Sequence, residues 1–145
     1  MSIIVIAGLL LGSPIAGDAH QVQVEHRGTP VDVTYRSDVR IAHRQVGAVG
    51  APGRPSALRC TWAASVDVHR ELRHPAGHVS ARQISSDAVA ISGSRPGWCE
   101  ASRQAIAQDV AAERARLRSH VEVIAAADRD AVLAELDTVS GGMRS

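Results

Sequence analysis

The chain contains no lysine and no phenylalanine, and only three aromatic side chains: Tyr35, Trp62 and Trp98. All 16 basic side chains are arginines, which excludes a Schiff-base lysine, a P-loop lysine and a lysine general base. Three rings are too few for the stacking platforms that bind sugars or single-stranded nucleic acids. The formal net charge of +1 gives no electrostatic attraction to nucleic acid or anionic lipid. We therefore expect no nucleic-acid partner.

Signatures of hydrolases are also missing. Ser94 lies in Gly-Ser-Arg-Pro-Gly rather than in a G-x-S-x-G elbow. The carboxylates Asp67, Glu71 and Asp87 lie at outward-facing, isolated strand positions, whereas glycosidases need two that converge in a cleft. The sequence therefore favours a non-enzymatic protein without a cofactor, and a small hydrolase is the weakest alternative.

The N-terminal segment, residues 1–19, has the pattern of a cleaved secretory signal peptide. Its apolar run ends in small residues, and Gly17 and Ala19 occupy the two positions before a predicted cleavage ahead of His20. The run is shorter than the roughly 20 apolar residues that a membrane-spanning helix needs. An uncleaved anchor and a buried N-terminal element are the alternatives. We expect a periplasmic or secreted protein with no membrane span in the mature chain. The lack of lysine and the richness in alanine, arginine, glycine and valine indicate a bacterial source.

Residues 20–97 are predicted to form an antiparallel β domain of five or six short strands. In the clearest strand, 58–68, apolar and polar side chains alternate, as expected when one face is buried and the other is wet. Segments 47–55 and 93–97, rich in glycine and proline, are predicted loops. The predicted strands cover 22–24, 31–35, 39–41, 58–68, 79–84 and 88–91.

Residues 98–140 are predicted to form one long C-terminal helix or a helical hairpin, packed on the sheet, with 141–145 as a tail. Apolar residues recur there at helical spacing, so a single stripe would face the sheet. Asp128 either continues this helix or caps a second one. The fold class is therefore α+β. The stripe consists of Ile106, Val110, Leu117, Val121 and Ile124.

The two cysteines, Cys60 and Cys99, are predicted to form one disulfide, because exported proteins mature in an oxidising compartment. Cys60 lies on the buried face of the clearest strand and Cys99 just before the helix, so the bond would tie the helix to the sheet. Redox or metal chemistry is the alternative, but no C-x-x-C motif is present to lower a thiol pKa.

Three of the seven histidines are close together in sequence: His69, His74 and His78. Imidazole binds copper and zinc, so these three residues form a candidate metal site. Their spacing fits no standard ligand arrangement, and a solvated hairpin loop is the competing interpretation. His20 is a second candidate, because an N-terminal histidine can chelate copper through its α-amine and its ring nitrogen.

Arg114 and Arg118 share one face of the predicted helix and form a candidate surface for an acidic partner. A solvated helix face is the favoured interpretation of the two. The sequence thus predicts an exported binding or structural protein whose partner is an envelope protein or envelope component. The competing prediction is a periplasmic copper- or zinc-binding protein that uses His20 or the three clustered histidines.

Overall fold

A computed structural model describes residues 15–16 and 19–142 of the chain. The predicted signal segment 1–19 therefore lies largely outside the described residues, as do the last three residues of the predicted tail. The described elements are β1 (Ile15–Ala16), β2 (His20–His26), β3 (Thr29–Val46), β4 (Arg59–Arg73), β5 (Val79–Pro96), α1 (Cys99–Ala112) and α2 (Arg114–Gly142).

The strands form one antiparallel sheet in which β3 and β4 are central. β3 pairs with β2 over its first seven residues, 29–35, and with β1 at Asp38 and Val39. Its other edge pairs with β4, and β4 in turn pairs with β5. The prediction of a small antiparallel sheet followed by helix, with one disulfide, is confirmed.

The strands are longer than the sequence predicted. The predicted strands 31–35 and 39–41 are one strand, because β3 passes through the turn-prone Ser37 and Asp38 in unbroken register with β4, and Ser37 is buried. Likewise β5 continues through residues 85–87 and on to Pro96, which is paired with Arg59. Register shifts between β4 and β5 accommodate the polar residues 85–87, so the strand does not end there.

The interpretation of residues 69–78 as a hairpin loop is wrong for residues 69–73. β4 continues to Arg73, and both Arg70 and Leu72 are buried in it. Only residues 74–78 make the turn, which the His74 backbone N–H closes by donating to the His78 carbonyl at 2.8 Å. Gly77 adopts a φ of +99°, a conformation that glycine tolerates and larger residues rarely adopt.

The predicted helical segment is divided into two helices at Glu113, whose φ and ψ of −92° and 20° interrupt the helical geometry. Asp128 lies well inside α2, so it continues that helix rather than capping another. No helix in the described part of the chain is long and apolar enough to cross a membrane.

Both helices pack on the same face of the sheet, here called the inner face. Two apolar clusters fill this interface. The larger, the α2 core, is formed by Val24, Val31, Val33, Tyr35, Val66, Val68, Leu72, Val121, Ala125, Val132 and Leu136. The smaller, the α1 core, is formed by Cys60, Trp62, Ala64, Ile91, Ile106 and Val110.

Candidate functional site

The opposite face of the sheet, the outer face, is formed by the alternate residues of the same strands. Along β3 these residues include Asp32, Thr34 and Arg36, whose neighbours Val31, Val33 and Tyr35 are buried against α2. The side chains of the outer face are polar at most of these positions. This alternation is what a sheet with one covered face requires.

A shallow open groove of about 450 Å³ lies on the outer face, where β2, β3 and β4 run side by side. Its walls come from register-paired positions, such as Gln21 opposite Thr34 and Thr34 opposite Glu71. The groove is therefore fixed by backbone pairing across three strands. Its lining residues are Gln21, Val22, Gln23, Asp32, Val33, Thr34, Arg36, Glu71 and Arg73.

Most of the charged groups in this groove are satisfied locally. Gln23 Nε2 donates to Asp32 Oδ1 at 3.0 Å, and Arg73 Nε donates to Glu71 Oε1 at 2.9 Å. Arg36 differs, because it is exposed and has no hydrogen-bond or ion-pair partner among residues 15–16 and 19–142. Arg36 is thus the charged residue of the groove whose guanidinium has no partner within the described residues.

The arrangement is suited to binding a carboxylate or another planar anion. A guanidinium offers a rigid fork of N–H donors that matches such groups bidentately. Gln21 and Thr34 line the same groove and can donate or accept hydrogen bonds to the rest of a ligand.

No local pattern in the sequence indicates this groove. The alternation at 31–35 indicated which face is wet, but the groove depends on three strands that are distant in sequence. Arg36 lies between the predicted strands 31–35 and 39–41, so no pattern distinguishes it from other surface arginines.

A second polar cluster lies on the inner face, between the sheet and α2. Arg70 of β4 is 1% exposed, and its Nη1 donates to both carboxylate oxygens of Asp128 at 2.8 and 3.1 Å. Its Nη2 donates to Glu135, whose other oxygen accepts a hydrogen bond from Ser80 Oγ at 2.8 Å. A buried charge needs such partners. We call this set, with Tyr35, the Arg70 cluster.

Tyr35 belongs to this cluster because its hydroxyl donates to Asp128 Oδ2 at 3.0 Å. Burial of the phenol, and next the hydrogen bond to the Asp128 carboxylate, raise the pKa of Tyr35 well above its ordinary value. The cluster is enclosed by α2, so its role is to orient the helix on the sheet. Sequence analysis missed it because its members come from β3, β4, β5 and α2.

The predicted disulfide is present: Cys60 and Cys99 have their Cα atoms 4.8 Å apart. Cys60 is fully buried in the α1 core. Beside it, Gln45 Oε1 accepts a hydrogen bond from the Cys99 backbone N–H at 2.7 Å, which satisfies one donor at the start of α1.

The histidines proposed as metal ligands are not brought together. His69 Nε2 lies 3.5 Å from Asp38 on the outer face, and His74 Nδ1 accepts a hydrogen bond from the Ala76 backbone at 3.0 Å. His78 Nε2 is buried. In the described part of the chain no three His, Cys, Asp or Glu residues form a group that could hold a metal ion.

His20 begins β2, paired with Tyr35, and the two ring centroids are 6.2 Å apart. Copper or zinc binding through His20 stays a prediction, because it depends on where the mature chain begins.

Arg114 and Arg118 lie in the first turns of α2 and are exposed. Both interact with other groups of the chain, so neither is a free guanidinium. Between them in sequence, Arg116 Nη1 lies 3.6 Å from Glu113 Oε2. Their proposed role in binding an acidic partner stays a prediction.

No protein-family model, curated protein or solved structure matches this chain. A functional conclusion for this chain must therefore be argued from the groove, the Arg70 cluster and the disulfide.

Proposed function

We propose that this chain is an exported, non-enzymatic binding protein that recognises an acidic group of an envelope protein or envelope component. The observation that carries the proposal is the groove on the outer face, in which Arg36 has no partner within the described residues. Binding there needs no rearrangement of the core, because the helices lie on the opposite face.

The charge pattern of the groove supports an acidic ligand. Arg73 offsets the negative charge of Glu71, and Asp32 accepts a hydrogen bond from the neutral amide of Gln23. Arg36 retains all its donors for a ligand. A bidentate pair between a guanidinium and a carboxylate is both stronger and more directional than a neutral hydrogen bond.

The disulfide supports the export part of the proposal. Disulfides persist in oxidising compartments such as the periplasm and are rare in the reducing cytosol. The Cys60–Cys99 bond joins the start of α1 to β4, so the native packing of α1 depends on a bond that the cytosol disfavours.

The test is a capture experiment with the processed protein as bait. Wild-type protein, an Arg36→Ala variant and an Arg82→Ala control are immobilised and exposed to the same envelope extract. Arg82 is an exposed arginine of β5 outside the groove, so it matches Arg36 in type but not in place. Bound components are then identified by mass spectrometry.

We expect components that are retained by the wild type and by the control but lost with Arg36→Ala. Adding a short acidic peptide in excess should displace the same components. If the Arg36→Ala variant retains the same set as the wild type, the groove is not the binding site. Metal analysis of the same protein distinguishes the alternative, which predicts bound copper or zinc.

A further inference from the structure

The edge of β3 is only partly covered. β2 pairs with residues 29–35, which leaves the second part of the edge, Arg36 to Val46. In the described part of the chain, β1 is the strand that pairs with this segment, at Asp38 and Val39. We call residues 36–46 the β3 edge segment.

β1 consists of Ile15 and Ala16, which lie inside the segment predicted to be removed on export. Cleavage before His20 removes β1 and leaves the backbone N–H and C=O groups of the β3 edge segment without it. An unpaired edge of this length is a ready template for another strand. The position of β1 shows that this edge accepts a strand in antiparallel orientation.

We propose that, in the processed chain, the β3 edge segment pairs antiparallel with the same segment of a second copy. A two-fold axis through Ile41 relates the copies, so that Arg36 lies opposite Val46 of the second copy. The proposal rests on the proposed export, because export removes β1. The result is a continuous sheet through two molecules, with both grooves on its outer face.

Three constraints select this register. The whole β3 edge segment must be paired, which places the axis at its central residue, Ile41, whereas axes through Val39 or His43 would pair only residues 36–42 or 40–46. Inner-face residues must lie opposite inner-face residues, because otherwise the half-buried Val39 and Ile41 would oppose the charged outer face. The pairing must also avoid like charges directly opposite each other. An axis through Arg40 would place that residue opposite its own copy, and an axis through Ala42 would oppose Arg40 to Arg44.

With the axis through Ile41, opposite charges meet instead. Asp38 of each copy lies opposite Arg44 of the other, which gives two symmetry-related ion pairs on the outer face. Arg40, which contacts Asp67 at 2.6 Å within its own chain, lies opposite Ala42. The arrangement therefore places no like charges directly opposite each other and forms an ion pair on each side of the axis.

Pairing also buries apolar side chains on the inner face of the β3 edge segment. Val39 and Ile41 are only partly buried, where they pack against the α1 core. In the dimer Ile41 lies beside its own copy, and Val39 lies opposite His43. Apolar area that is exposed at the edge of one chain is thereby removed from water in two.

The experiment uses the chain recovered from the periplasm of an expressing bacterium. Its N-terminus is determined by mass spectrometry and its molar mass by sedimentation equilibrium over a range of concentrations. Four variants are compared with the wild type: Asp38→Arg, Arg44→Asp, the combined charge exchange, and Arg103→Asp as a control on the exposed surface of α1.

We expect the chain that begins at His20 to form a dimer. Each single charge reversal should weaken dimerisation by about tenfold or more, because both symmetry-related pairs become repulsive. The combined exchange should restore it, and Arg103→Asp should leave it unchanged.

Three outcomes would overturn the proposal, and they are distinguishable. A chain that begins at His20 but sediments as a monomer contradicts the dimer alone. If none of the charge reversals changes the dimerisation constant, the dimer forms through another surface. A chain recovered from the periplasm with residues 1–19 still attached contradicts the proposed cleavage before His20, and the dimer inference fails with it because β1 is retained.

Discussion

The α1 core and the α2 core lie on the same face of the same sheet, yet a different kind of bond secures each helix. α1 begins at Cys99, which is covalently joined to β4 at Cys60. α2 has no covalent link to the sheet and instead meets Arg70 through two of its carboxylates, Asp128 and Glu135.

The disulfide and the buried ion pairs are two ways in which a chain poor in large apolar side chains can hold a helix in one orientation on a sheet. The cores are built mainly from valine, alanine and other small residues, and a chain of this size has a modest core. Hydrophobic contact alone specifies helix orientation weakly when the side chains are small. A disulfide or a buried ion pair adds the directional constraint.

The largest expected effect comes from removing the disulfide. Replacing both Cys60 and Cys99 by alanine should lower the free energy of unfolding by about 4 kcal/mol, because the bond closes a loop of 39 residues. Hydrogen exchange should show that α1 loses protection while α2 keeps most of its own. Equal loss of protection in both helices would show that the two regions are not secured separately.

The matching change in the other region is Arg70→Met. It leaves two carboxylates beneath α2 without their counter-charge, and we expect a loss of about 3 kcal/mol, measured by denaturant unfolding. Its control is Arg82→Met, because Arg82 is the exposed register partner of Arg70 on β5 and should change stability by only about 0.5 kcal/mol. Adding Asp128→Asn and Glu135→Gln to Arg70→Met should recover part of the loss.

A smaller effect is expected at Tyr35, which is the only tyrosine of the chain. Tyr35→Phe removes the hydrogen bond to Asp128 and should cost about 1 kcal/mol. In the wild type, tyrosinate absorbance should not appear near the ordinary pKa of 10.0, because the folded state raises this pKa. The folded chain favours the neutral phenol, so this contribution to stability is complete below pH 10 and decreases as the pH rises further. Titration near pH 10 in the folded protein would contradict the buried phenol.

The smallest effects are at two exposed aspartates, one beside each core. The hydrogen bonds from Arg95 hold the pKa of Asp109 below 3.8, and the hydrogen bond from His26 does the same for Asp137. Because folding lowers both pKa values, their contributions are present above pH 3.8 and are lost as the pH falls through the folded-state values. Carboxyl NMR titration of the wild type, with Asp109→Asn and Asp137→Asn to assign the signals, checks both.

Sequence analysis predicted the parts of this molecule that depend on local pattern. Alternation at 58–68 located β4, and the presence of exactly two cysteines in a chain predicted to be exported led to the disulfide that the structure contains. It failed where tertiary pairing overrides local preference: Ser37 and Asp38 resemble a turn, but continuous pairing with β4 keeps them in a strand.

The Arg70 cluster and the groove could not be found in this way for a different reason. Arg70 lies between polar neighbours, in a segment that resembles a solvated loop, and its partners are 58 and 65 residues away. Arg36 belongs to a candidate binding site only because Gln21 and Glu71, which lie on two other strands, line the same groove. Both arrangements become visible only once the register of the sheet is known.

The proposed function depends on export with cleavage before His20 and on formation of the disulfide, and the mass of the intact protein tests both. The intact mass of the protein from the periplasm is recorded before and after reduction. We predict a chain that begins at His20 and gains two hydrogens on reduction, as one disulfide requires. A mass that retains residues 1–19, or that does not change on reduction, would contradict the account.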